Sequence, residues 1–153
     1  MKYITLLFVS FLITNSQSIF AQEQVTDEEL KKYAVTMDSV NDMKASLLEE
    51  ISAMVKANTG LTNARYNELS KIMNDEAKLA AAKATPEEIA FMKSIAEKKS
   101  EGTAEITQTL QTMAKEYVGA TSYNKVKKAL ATDAELKAKY QTMLEELDKV
   151  QVN

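Results

Sequence analysis

The carboxylate pairs Glu49-Glu50, Glu101–Glu105 and Glu145-Glu146 are the side chains closest to chemistry in this sequence. Carboxylates on facing helices can hold a di-metal centre, but such centres take a Glu-x-x-His pair from each of two helices. The chain has no His, so the acids read as solvated helix faces. The same absence removes a Ser-His-Asp triad and an imidazole switch. With no Cys there is no thiolate nucleophile, no disulfide and no thiolate metal site. No glycine-rich phosphate loop and no Ser-x-x-Lys arrangement occurs. The lysines Lys125, Lys127 and Lys128 form a small basic cluster, diluted by Asp133 and Glu135 in a chain of net charge −3. That excludes nucleic acid as a partner. The expectation is a protein without catalytic residues, cofactor or metal.

Two Tyr-Asn pairs remain, Tyr66-Asn67 and Tyr123-Asn124. They could line a ligand groove. The simpler reading is structural, because Tyr66, Leu69 and Met73 share one helix face, as do Tyr123, Val126 and Leu130, and a buried ring can give its hydroxyl a backbone partner.

The elements that carry these residues are helices. Three Gly and a single Pro among 153 residues leave little material for the turns of an all-β fold. Thr26-Asp27-Glu28-Glu29 is a capping box, and Leu30, Tyr33, Met37, Val40, Leu47, Ile51 and Met54 follow at alternating spacings of three and four. This predicts a rod of roughly 45 Å, interrupted at Lys44 and stopped near Asn58, with Gly60 suited to a left-handed position. A weaker leg follows, broken at Asn74-Asp75. Thr85-Pro86-Glu87-Glu88 starts a second long helix, with Pro at N1. Its predicted stripe is Ile89, Met92, Ala96, Lys99, Thr103, Ile106, Leu110, Met113 and Tyr117, with a kinked middle around Lys98–Thr103 and an end at Gly119. A last leg breaks at Thr132-Asp133 and continues through Leu136, Tyr140, Met143, Leu144 and Leu147.

Residues 1 to 21 read as a signal peptide: Lys2, the apolar run Ile4–Ile13, a polar stretch, then Ala21 before Gln22 as the cleavage junction. The apolar core is too short to span a bilayer, and no Cys follows it to carry a lipid. Residues 22–153 form a single helical domain with no membrane span after cleavage, placed in the periplasm or outside the cell.

The domain repeats itself. Thr26–Leu30 lies 59 positions before Thr85–Ile89, and Gly60 lies 59 before Gly119. Beyond the glycines the offset is 57, pairing Tyr66-Asn67 with Tyr123-Asn124, Lys71 with Lys128 and Leu79 with Leu136. Two tandem units, about 26–83 and 85–140, each a long helix plus a broken return leg, therefore make an all-α bundle. A leg that retraces its own long helix brings the second long helix back parallel to the first.

The runs Thr26–Ala34, Gly119–Asn124 and Ala131–Leu136 resemble the domain-of-unknown-function 4168 family, over about residues 25 to 140. The resemblance implies an exported bacterial helical protein and no established activity. This chain shows the family's pattern twice. Leu61-Thr62-Asn63-Ala64-Arg65 is loosely similar to the Leu-Thr-x-x-Gln motif of the small Spy-type helical chaperones, without the Gln. The expected function is an exported, non-enzymatic binding protein whose partner is a protein or an apolar peptide segment. The alternative is a periplasmic chaperone-like protein that shields unfolded clients. The 59-residue offset sets Lys44 opposite Thr103, and this weak layer predicts a shallow groove lined by Met43, Leu47 and Ile106.

Overall fold

The computed structural model describes residues 24–151, so the leader and the Ala21/Gln22 junction lie outside the described residues. Six α-helices pack into a bundle: α1 (Asp27–Ala57), α2 (Asn63–Ile72), α3 (Glu76–Ala81), α4 (Pro86–Thr112), α5 (Ala120–Thr132) and α6 (Ala134–Gln151). No strand occurs among the described residues. None of these helices is long and apolar enough to cross a membrane.

Local chemistry sets the helix starts. Both long helices begin in a complete capping box. Thr26 Oγ1 accepts from the Glu29 N–H at 3.2 Å while the Glu29 carboxylate accepts from the Thr26 N–H at 2.9 Å. Thr85 and Glu88 repeat this with the same distances, with Pro86 in the first turn. Asp75 caps α3 through the Lys78 N–H at 3.0 Å, and Asp133 caps α6 through the Leu136 N–H at 2.9 Å.

Helix ends depart from expectation. Gly60 does not take the left-handed conformation. The Asn58 side chain accepts from the Gly60 N–H at 3.0 Å and turns the chain without it. Gly119 does take positive φ, at 88°. The middle of α4 is continuous. The irregularity lies one segment later, in a π-helical turn over Met113–Tyr117, where the Val118 N–H reaches the Met113 carbonyl at 2.9 Å.

The long helices run antiparallel, which corrects the expected parallel arrangement. Glu50 of α1 is ion-paired with Lys98 of α4, Leu47 packs on Gly102, and Met43 lies beside Ile106. Positions on α1 thus fall as those on α4 rise. The reason is that the short legs do not cover their own long helix. Leu69 and Leu79 of the first leg bury against Met92 at the start of α4. Val126 of the second leg buries against Leu30 and Tyr33 at the start of α1, with Leu136, Tyr140 and Met143 packed around them. The core is therefore two clusters, one at the start of each long helix.

The stripe on α4 is also corrected. Ala96, Lys99 and Thr103 are exposed, while Met92 and Ile95 are buried and Lys98, Gly102 and Ile106 are half-buried against α1. A Cβ on Gly102 would stand 2.5 Å from Leu47 Cδ1. The absent side chain at 102 sets the α1–α4 approach.

Candidate interaction face

Beyond Val40 the character of α1 changes. Leu30, Ala34, Thr36 and Val40 are sealed by the helices around them, whereas Leu48 is 68% exposed. Leu48 sits on the rim of a cleft between the second half of α1 and α2, with a volume of about 420 Å³. Ile51, Val55 and Tyr66 give it apolar walls, and Ser52 and Asn67 add polar edges. Helical spacing puts 48, 51, 52 and 55 toward α2. Leu61, Leu69 and Leu79 hold α2 and α3 on α4, so α2 forms a wall beside α1.

The groove expected at Met43, Leu47 and Ile106 exists only as a crevice of about 170 Å³. Leu47 occupies the space opened by Gly102, and the Glu50–Lys98 ion pair spans the crevice mouth. Lys44, Lys99 and Thr103 face solvent, so the weak layer closes with its polar groups turned outward. A broader furrow of about 690 Å³ is lined by α4 alone, through Ala96, Ser100, Thr103 and Thr107 among others.

The two tyrosines at offset 57 have different surroundings. Tyr66 touches the Leu69 cluster and lines the α1–α2 cleft. Tyr123 packs with ring centroids 5.1 Å from Tyr33, which also meets Tyr140 edge-on at 5.8 Å. Burial, then the neighbouring Tyr123 and Tyr140, push the Tyr33 hydroxyl up to about 12. These rings fill a core.

The acids divide in the same way. Glu49, Glu101, Glu105, Glu145 and Glu146 are exposed, and the described residues contain no group of three or more acids that could hold a metal ion. The N3 glutamates of the two capping boxes act as staples. Glu29 Oε1 accepts from Ser122 Oγ and Lys125 Nζ, each at 2.7 Å. Glu88 takes a bidentate contact from Arg65 at 2.8 Å through each oxygen, while Arg65 also donates to Glu68 and to the Ala82 carbonyl. Charge-assisted bonds from Lys125, together with the capping N–H, hold Glu29 at about 2, and Arg65 does the same for Glu88. Lys125 of the basic cluster is thus consumed in structure, and Lys127 and Lys128 are exposed.

Sequence reasoning missed three features. Asp38 is buried near Tyr140, where burial and the nearby Asp42 and Asp148 raise its carboxyl above the ordinary value. Both staples went unseen, although the offsets of 59 for Glu29/Glu88 and 57 for Arg65/Ser122 were available as a signal. The exposed Leu48 was missed as well, although its absence from the apolar stripe was available as a signal. Comparison of the chain with family models, with curated proteins and with solved structures finds no match.

Proposed function

We propose that this is an exported, non-enzymatic helical interaction protein built from two tandem units, and that it binds through the apolar cleft between α1 and α2. The observation that carries the binding reading is Leu48, 68% exposed beside apolar walls from Ile51, Val55 and Tyr66. A single exposed leucine is ordinary; here Leu48 extends the apolar lining of a cleft, and clefts with apolar walls and a few polar edges are where partners are received.

The tandem reading is supported by the staples. Each leg clamps the long helix of the other unit, through Arg65 to Glu88 and through Ser122 and Lys125 to Glu29. Such an exchange relates the units by a twofold-like rotation and accounts for antiparallel long helices within a duplicated chain. Export rests on Lys2, the apolar run Ile4–Ile13 and Ala21. Intact mass of the exported protein, starting at Gln22, tests it.

The binding test uses a fluorescein-labelled leucine-rich amphipathic peptide and the variant Leu48→Glu. Binding by wild type and its loss in the variant supports the cleft, and equal binding by both rejects it. A chaperone-like role for the same face requires that wild type, and not Leu48→Glu, suppress aggregation of an unfolded client at stoichiometric ratio.

A further inference from the structure

We propose that the occupant of the α1–α2 cleft is a second copy of this chain, the two copies meeting about a twofold axis that passes close to Ser52. The proposal rests on the reading of the cleft as the binding face and names its partner.

The first argument is self-complementarity. An isologous contact requires one patch to carry both knob and hole. Leu48 projects from the rim of a cleft walled by Ile51, Val55 and Tyr66, so knob and hole sit on one patch. The other exposed large apolar residue among the described residues is Tyr117. It lies near Lys32 at the opposite end of α1, with no part in this patch.

The second argument is spacing along α1. Positions 48, 52 and 55 share one helix face, and the residue at the middle is a serine, small enough for two helices to approach closely. An antiparallel pairing centred there sets Leu48 of one copy against Val55 of the other.

Charge gives the third argument. Glu49 and Lys56 lie on the same flank of that face, seven residues apart, on either side of Ser52. Both are exposed, and neither has an ion-pair partner among the described residues. A twofold near Ser52 places each Glu49 beside the partner copy's lysine at 56, making two symmetric ion pairs. Neighbouring charges on α1 and α4, Glu50 and Lys98, are already paired to each other. Glu49 and Lys56 thus differ from the other unpaired charges of the chain in their position, flanking Ser52 where a second copy would neutralise them.

Sedimentation equilibrium of the purified protein over a wide concentration range tests this. Wild type is expected to rise toward twice the monomer mass, and Leu48→Glu to remain monomeric, with a melting temperature that, unlike that of wild type, does not rise with protein concentration. Glu49→Lys and Lys56→Glu each put like charges opposite one another and are expected to weaken association about tenfold or more. The double variant Glu49→Lys/Lys56→Glu restores complementarity and is expected to return to within about threefold of wild type. A dimer that survives Leu48→Glu, or single charge variants that associate like wild type, overturns the proposal. So does a wild type that stays monomeric. In that case, peptide binding by the wild-type monomer, lost in Leu48→Glu, leaves the cleft as a binding face for another partner, whereas equal binding by both removes the cleft reading as well.

Discussion

The start of α1 and the start of α4 are built from the same capping box and take the same kind of staple, yet they end in different surroundings. Around α1, both α5 and α6 close, and Leu30, Tyr33, Ala34, Thr36, Asp38 and Val40 are all buried. Around α4, only α2 and α3 close, and burial stops after Met92 and Ile95. The difference is leg length, since α6 has 18 residues and α3 has six. Eleven and fourteen residues past the N-cap threonine, α1 carries Met37 and Val40, whereas α4 carries Ala96 and Lys99. At these two positions the covered helix carries large apolar residues, and the helix whose leg stops short carries a small one and a charged one. Helix register alone therefore does not say which face is core. A covering element must exist.

The largest expected effect tests this contrast in burial. Leu30 and Leu69 are both fully buried, one at each end. Leu30→Ala is expected to cost about 4 kcal/mol, because α5 and α6 hold the cavity open. Leu69→Ala is expected to cost about 2–3 kcal/mol, because the thinner end can relax into the space. Urea denaturation measures both, and the reverse order would break the comparison.

The staples come next, and acid reads them. Glu29 and Glu88 sit near 2 in the fold, below an ordinary glutamate near 4.3. Stability from a depressed carboxylate is present above its unfolded value and lost as pH falls through its folded value. Stability is thus expected to fall between about pH 5 and pH 2, and Glu29→Gln and Glu88→Gln should each flatten that fall. Asp38 has the opposite sign. Its value is raised, so its contribution is lost as pH rises, and Asp38→Asn should remove a decline on the alkaline side of the acid range. Equilibrium unfolding at a series of pH values separates the slopes.

These features differ in how far they could be read ahead of the structure. The starts of α1 and α4 and the breaks before α3 and α6 follow from Thr26, Thr85, Asp75 and Asp133, because a cap is a local bond between near neighbours. The all-helical class follows from periodicity. Orientation of the long helices does not, since it depends on which leg meets which helix, and Arg65 to Glu88 is a contact 23 residues apart. The α4 stripe slipped at Lys98–Thr103 because Gly102, with no side chain, carries no hydropathy signal yet marks the closest approach to α1. The α1–α2 cleft was hidden for a related reason: Leu48 adjoins Leu47 in sequence, and periodicity assigned only Leu47 to the core.

That close approach gives a smaller effect. Alanine at 102 gains about 1 kcal/mol of helix propensity but sets its Cβ 2.5 Å from Leu47 Cδ1. Overpacking costs about 1–3 kcal/mol, so Gly102→Ala is expected to lose about 1 kcal/mol net. The double variant with Leu47→Ala frees the space and should cost less than the sum of the two single changes. Additive losses in urea unfolding would show that α1 and α4 do not meet through this pair.

The smallest effect concerns why α3 is short. After Ala81 the chain turns at Lys83, whose φ is 52°, the left-handed region. The Lys83 N–H reaches the Ala80 carbonyl and the Ala84 N–H the Leu79 carbonyl, each at 3.0 Å, which closes the helix end. Thr85-Pro86 then begins α4 at once, so the first leg has no room to extend over α4 as α6 extends over α1. A lysine held left-handed carries strain of about 1–3 kcal/mol, relieved by glycine at the cost of about 1 kcal/mol of extra unfolded-state freedom. Lys83→Gly is expected to raise the urea midpoint by the equivalent of about 0.5 kcal/mol, with an unchanged denaturant slope. Lys83→Ala keeps a Cβ, relieves nothing and should not share the gain. If alanine stabilised as much as glycine, the lysine side chain rather than its backbone would be the source of the strain, and the stop after α3 would need another cause.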